Sequence, residues 1–392
     1  MVSLDTAENA LKTVYLGVVA NQLNVGVNPL MAKIEQTTSD VWGSRIVKMV
    51  PYGLNGGVGA GSENGKLPIS AGNQYGKFTL DLKNLYGTIE LTDKAIRASQ
   101  HNEAAFVNLL NSEMEGLLTA SKYNLGRMLY GDGSGVLANV VAGTYSGNTI
   151  SVTDTHDFTP GMCVSVYNGS SNTYYSGMDS VRIVDVDRVN NTITLDANMR
   201  TTYTDKDFVC VQTSYKKELT GLKAIFAQSG SLYGLNKDEY SWLKPQVRSD
   251  VGALTQNAMQ SAIDGVEEKC GGNIDMIVCA YDTRRYYIDS CSANRMNIDY
   301  MNLDNGYKAI SYNGIPVVAD KFVRNGDMYL LNTADFKLHQ LCDWRWIEGE
   351  SGKVLHQVPG WSRYTATLVK YADLICDRPA GQAMLSGITS GT

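Results

Sequence analysis

Between Asn102 and Tyr130 the apolar residues Phe106, Leu110, Met114, Leu117, Leu125 and Met128 recur in steps of three and four, with Ser121 the one polar lapse. That spacing predicts one helix with a single apolar stripe. Asn102 suits the N-cap and Glu103 the positive end of the dipole. At the exit, Gly131-Asp132-Gly133-Ser134-Gly135, Gly131 suits a left-handed cap. At about 1.5 Å per residue the helix would be roughly 40 Å long, some three times the usual length. A helix of that length acts as a spine to which other elements attach. An ordinary long core helix would show the same stripe, so the flanking chain decides.

On the N-terminal side, Met1 to Trp42 holds one amphipathic segment, Leu4 to Val19, and then polar extended sequence; it reads as an arm that needs a surface. Gly43 to Gly87 is stranger. A strand, Arg45 to Tyr52, leads into Gly53-Leu54-Asn55-Gly56-Gly57-Val58-Gly59-Ala60-Gly61-Ser62-Glu63-Asn64-Gly65. The chain returns through Tyr75 to Tyr86, where Phe78, Leu80 and Leu82 alternate with Thr79, Asp81 and Lys83. An isolated two-stranded ribbon is marginal in water, so this excursion is expected to pack on another molecule. It carries Arg45, Lys48, Lys66, Lys77 and Lys83 against Glu63 and Asp81, whereas the spine offers Glu103, Glu113 and Glu115. The expected inter-subunit contact therefore lays one subunit's excursion over its neighbour's spine.

Charge narrows the function. The 392 residues carry a net charge of −6 and four histidines, which argues against a protein whose main task is gripping nucleic acid, since phosphate neutralisation needs clustered Lys and Arg. The longest clean apolar run, Met276 to Tyr281, falls far short of the roughly 20 residues of a membrane span. Asp5 and Glu8 stand where a signal peptide would be basic and then apolar. The seven cysteines are scattered, never spaced Cys-x-x-Cys, and read as reduced buried side chains of a cytoplasmic fold.

Beyond the spine, Val136 to Val141 is a strand candidate, and Thr92 to Ser99, before it, a short helix. Gly143 to Thr213 loses all helical spacing: Thr149 to Thr153, Met162 to Tyr167, Ser180 to Asp187, Thr192 to Leu195 and Phe208 to Thr213 read as strands, with Asn190-Asn191 a tight turn. They predict a small barrel or sandwich inserted in a larger fold. From Leu219 helix and strand mix again. Ser249 is expected to cap a helix through Val251, Leu254, Ala258, Ala262 and Val266, ending at Gly271-Gly272. A buried strand at Ile274 to Tyr281, a helix around Thr283 to Cys291, a hairpin at Asn313-Gly314 and a strand at Met328 to Leu331 follow. Trp344 to Ile347, Tyr364 to Ile375 and Ala383 to Ile388 close the chain as strands.

Several stretches carry a second likeness. They are "LKNLYGTIELTDKAIRAS" (82–99), "RMLYGDGSG" (127–135), "LTGL" (219–222), "NGIPVVADKFV" (313–323), "LLNTADF" (330–336) and "ADLICDRPAGQAMLSGI" (372–388). In this order, after an arm and an extended loop, the chain resembles the major capsid proteins of tailed bacteriophages, the Hong Kong 97-like fold. The resemblance implies an α+β chain with an N-terminal arm (1–42), an extended loop (43–91), a peripheral domain with the spine (92–142), an inserted β-domain (143–213), an axial domain (214–343) and returning peripheral strands (344–392). It also implies self-assembly as pentamers and hexamers into an icosahedral shell around double-stranded DNA contacted non-specifically. A portal protein, the option of a decoration protein, and a virion location reached from the host bacterial cytoplasm belong to the same expectation. Because Met1 stands just before the arm, a separate scaffold protein is expected rather than a fused one. Some members join a loop lysine to an asparagine of a neighbour; Lys66 is read here as a solvated charge. An encapsulin-type nanocompartment is the alternative, and a carbohydrate- or protein-binding module in the inserted β-domain a distant one.

No enzyme can be assembled from the sequence, and no catalytic, cofactor or metal site is expected. Gly65-Lys66 is followed by Leu67, so the phosphate-loop pattern fails. Gly133-Ser134-Gly135 lacks the spacing of a nucleophile elbow. His101-Asn102-Glu103 starts like a deaminase signature with no Pro-Cys-x-x-Cys after it. His156, His339 and His356 are isolated, and Asp185, Asp187 and Asn190 lack the glycine and terminal Glu of a calcium loop. Trp344 and Trp346 share one strand face and read as core.

Overall fold

The computed structural model describes residues 16, 22–23, 28–94, 103–198, 202–293, 300–302, 308–349 and 352–391. The expected segment Leu4 to Val19 (except Leu16), the Asn102 cap and most of the helix expected at Thr92 to Ser99 lie outside them. Described strands before the spine are β1 (Glu35–Thr37), β2 (Val41–Trp42), β3 (Arg45–Tyr52), β4 (Gln74–Asp81) and β5 (Lys83–Thr92). The helices are α1 (Glu103–Tyr130), the short α2 (Leu222–Phe226), α3 (Gln256–Cys270) and α4 (Tyr281–Ala293).

The spine α1 lies on a five-stranded sheet made of β1, Phe336–Trp346, Arg363–Cys376, His356–Gln357 and β5. Leu85, Ile89 and Leu91 of β5, with Trp344, Trp346, Ala366 and Leu368, meet Leu110, Met114, Leu118 and Leu125 of the helix. Both tryptophans are therefore core. The buried stripe is rotated from the expected one: Leu118 and Leu129 are buried, Leu117 and Met128 only partly, because the helix's last turn leaves this core for a second one. Gly87 permits the close approach, since a Cβ there would stand 2.8 Å from Leu117. Gly131 is not the left-handed cap; its N–H closes a turn on Met128 at 3.1 Å, and the positive φ angles belong to Gly133 (80°) and Gly135 (76°). Gly221 explains "LTGL": a Cβ there would lie 2.3 Å from the Met128 carbonyl oxygen at the end of the spine.

A seven-stranded sheet runs Gln246–Arg248, Ala383–Leu385, Met328–Leu331, Met276–Cys279, Ile315–Ala319, Lys308–Tyr312, Tyr300–Asn302, with apolar residues of α3 and α4 in its core. Asn313 (φ 50°) and Gly314 (φ 78°) form its hairpin turn, as the dipeptide requires. The helix expected after Ser249 starts later. Gly252–Ala253 is extended, paired with Ile388–Thr389, and Thr255 is the cap, its hydroxyl accepting from the Ala258 amide at 3.1 Å. Gly271 ends the helix in the left-handed conformation, φ 59°. Ala383–Leu385 belongs to this sheet and Phe336–Trp346 to the spine sheet, so the chain crosses between the units at 336 and again after Cys376, not once at 344.

The insertion is a barrel. Strands run Val136–Asn139, Phe208–Val211, Cys163–Asn168, Val181–Asp187, Thr192–Leu195, Thr149–Ser151, and the ends join through a Val140–Val152 bridge and the Thr153 N–H bonded to Asn139 O at 2.9 Å. Among the described residues fifteen buried apolar side chains, among them Ile150, Phe158, Val164, Ile183, Ile193 and Tyr203, fill it. The barrel sheet begins before Gly143, because Val136–Asn139 pairs with Phe208–Val211. The turn expected at Asn190-Asn191 spans 188–191. The Asp187 carboxylate accepts the Val189 and Asn190 amides at 2.9 and 3.1 Å, and Asn191 has φ 51°. Asp187 and Asn190 thus build a turn, while Asp185 lies within the strand Val181–Asp187.

Candidate inter-subunit surfaces

The excursion divides into a stem and a tip. In the stem, β3 and β4 pair from Arg45↔Asp81 to Tyr52↔Gln74. Ile46, Val50, Gly76 and Phe78 lie on the face turned to the body and are buried, while Arg45, Met49, Tyr75 and Lys77 are exposed on the other. The Thr79 N–H bonds Tyr233 O at 2.9 Å, tying the edge of β4 to residues 231–236. The stem thus packs on its own subunit, against the expectation for the whole ribbon, because its apolar alternation matches a groove there.

The tip, residues 53–73, has no such support. Its described backbone contacts are local: the Gly65 N–H on Ser62 O at 3.0 Å, the Gly57 N–H on the Asn55 side chain at 2.9 Å. Leu54, Val58, Leu67 and Ile69 are 95, 88, 87 and 88% exposed. Each would gain about 1.5–3 kcal/mol on burial.

The expected contact residues fall into three situations. Arg45 pairs with Asp81 at 2.9 Å on the exposed face, an ion pair of small worth in water. Lys48 reaches Asp377 of its own chain at 2.7 Å. Lys66 and Lys77 are exposed on tip and stem, Glu113 and Glu115 on the spine's outer side, and the side chain of Glu103 lies outside the described residues. Among the described residues, no ion pair within the chain joins these lysines to Glu113 or Glu115.

One surface was missed. The spine sheet carries α1 on one face only; the other presents Tyr86, Thr88 and Glu90 of β5. There Arg363 bonds Glu90 at 2.9 Å and covers the exposed Trp361 ring at 4.5 Å. The alternation in Leu85-Tyr86-Gly87-Thr88-Ile89-Glu90-Leu91 already assigned the two faces, but not that Tyr86, Thr88 and Glu90 stay exposed among the described residues.

Chemistry concentrates at the spine exit, around a cavity of about 340 Å³. Its charged lining is largely paired: Arg127 with Glu218, Lys223 with Asp132 at 3.6 Å, Arg324 with Asp157 at 3.4 Å. Arg324 also reaches Asp154 at 3.0 Å, which fastens the barrel to the body. Burial pushes the Asp327 carboxyl up to about 6, with Arg324 opposing. These pairs join three parts of the fold. Among the described residues no three His, Cys, Asp or Glu side chains converge as metal ligands, and no helix is long and apolar enough to cross a membrane.

No protein-family profile and no curated protein matches the sequence. Solved structures do. The capsid asymmetric unit of cyanophage A-1(L) is similar over 97% of this chain and 93% of that one, at 12% identity and a TM-score of 0.53. The holo-SrpI encapsulin complex of Synechococcus elongatus follows over 96 and 97%, at 11% identity and 0.48. The satellite phage P4 procapsid covers 95 and 99%, at 9% and 0.44. The first likeness, end to end, shows the fold: the excursion, the spine, the spine sheet and the seven-stranded sheet form the Hong Kong 97-like capsid fold, with a barrel inserted after the spine.

Proposed function

We propose that this chain is a major capsid protein, copies of which assemble as pentamers and hexamers into the icosahedral head of a tailed phage around double-stranded DNA. The observation that carries the reading is the bare tip on this fold: four nearly fully exposed apolar side chains at the end of a docked stem. A second copy is the partner that a closed symmetric shell supplies to every such tip. The open face with Tyr86 and Trp361 and the spine glutamates Glu113 and Glu115 are the two surfaces a neighbour's tip could meet; Lys66 and Lys77 favour the glutamates by charge. The chain's net charge of −6 suits a wall that touches DNA without gripping it. In this reading a separate scaffold protein guides closure and a portal protein occupies one vertex.

The test is sedimentation and negative-stain imaging of the chain, alone and beside a candidate scaffold. Rings or closed particles on the order of megadaltons support the reading; a persistent monomer in both preparations ends it. Particles that hold protein cargo and no DNA would move the assignment to an encapsulin-type compartment.

A further inference from the structure

The stem ends at the rung Tyr52↔Gln74, and beyond it Gly53 turns away with φ 74°. At that root stands Trp242, from the short turn Ser241–Leu243 of the body. Its ring stacks on Tyr52 at 4.9 Å and 7°, and on Phe78 at 5.8 Å and 15°, so one indole spans both strands. Tyr240 braces it edge-on at 6.2 Å. Gly76, across from Val50, makes room: a Cβ there would stand 2.6 Å from the indole. Among the described residues the indole Nε1 has no hydrogen-bond partner, so stacking and packing hold the ring.

From these contacts we infer that Trp242 is the positioning residue of the excursion. It fixes the angle at which the tip leaves the subunit, and thereby whether the tip reaches a neighbouring copy. The inference rests on the capsid reading for its second half only. Leverage makes the angle matter. Two limbs of about ten residues at ~3.3 Å each extend the tip roughly 30 Å past the root, so a tilt of ~15° displaces its end by about 8 Å. A displacement of that size, about the width of a side chain's own reach, takes Leu67 or Ile69 off any pocket shaped to receive it.

The experiment compares wild type, Trp242→Ala, Trp242→Phe and Gly76→Val. Amide exchange of residues 45–52 and 74–81 is followed in the unassembled subunit, and particle yield and diameter are followed by imaging. Trp242→Ala should retain cooperative unfolding, exchange at least about tenfold faster at the root, and give few particles or particles of mixed diameter. Trp242→Phe should restore both, because no hydrogen bond is lost. Gly76→Val keeps the tryptophan but displaces it, and should reproduce the alanine phenotype; it carries the test if Trp242→Ala fails to fold. Unchanged exchange at the root in both Trp242→Ala and Gly76→Val overturns the clamp. Faster exchange with wild-type particles overturns its role in assembly. If wild type itself forms no particles the capsid reading fails, while the exchange comparison still decides the clamp.

Discussion

Arg127 and Glu218 meet 91 residues apart in sequence, both almost fully buried, with Nη1 bonded to Oε2 at 2.9 Å and Nη2 to Oε1. Removing one partner leaves a buried charge unanswered. Arg127→Met is therefore expected to lose roughly 3–5 kcal/mol in urea unfolding, and Arg127→Met with Glu218→Leu to recover most of it. Asp327 behaves in the opposite sense. Burial raises its carboxyl to about 6, above the unfolded value of about 3.9. The folded state then holds the proton more tightly, so stability falls as pH rises through the window between about 4 and 6. Asp327→Asn should melt higher than wild type at pH 7–8, with the difference closing on acidification toward pH 4; a constant offset would contradict this. Some residue choices were legible because local chemistry dictates them: Asn313-Gly314 supplies two positive φ angles, and Gly271 one. Others were not. Arg127 reads as any basic residue in a last helical turn, since its partner arrives only after the barrel. The run Gly131-Asp132-Gly133-Ser134-Gly135 offers three candidates for the left-handed position, and the choice depends on Leu219 and Ser214 packing against Gly133 and Gly135.

Among the elements, the barrel and the tip make contrasting claims. The barrel closes on its own core, and its two legs run side by side, with the Lys216 N–H on Ser134 O at 2.7 Å. Joining Ser134 to Tyr215 should leave a body that unfolds cooperatively, and residues 134–217 made alone should give a dispersed amide spectrum; an unfolded body would show that the barrel is part of the main core. The tip contributes nothing to the isolated subunit's core. Replacing Leu54, Val58, Leu67 and Ile69 by Ser is expected to shift the subunit's unfolding free energy by less than about 0.5 kcal/mol while abolishing assembly. Charge reversal at Glu113 and Glu115 should hinder assembly if the neighbour's lysines lie over the spine, and leave it unchanged if the tip rests on the open sheet face. Element types were readable from period: 3.6 along the spine, two along β4, β5 and the barrel strands. Starts and partners were harder. Thr255 displaced Ser249 as a cap because residues 252–253 were claimed by pairing with Ile388–Thr389, a contact that no local pattern announces. The stem's docking was likewise hidden, since it depends on Trp242, distant in sequence, and on Gly76 having no side chain.

For the whole molecule, the order of parts along the chain was more informative than any single motif. The fold is shared end to end with a cyanophage capsid subunit at only 12% identity, a level at which packing pattern survives and side-chain identity does not. The central claim, that the bare tip is completed by a second copy within a closed shell, is tested most directly by electron cryomicroscopy of particles formed by this chain, alone or beside a candidate scaffold protein. The account predicts closed icosahedral particles of fivefold and sixfold rings, with density for Leu54, Val58, Leu67 and Ile69 buried against an adjacent subunit. Particles in which the tip stays free in solvent, or no particles at all, would contradict it.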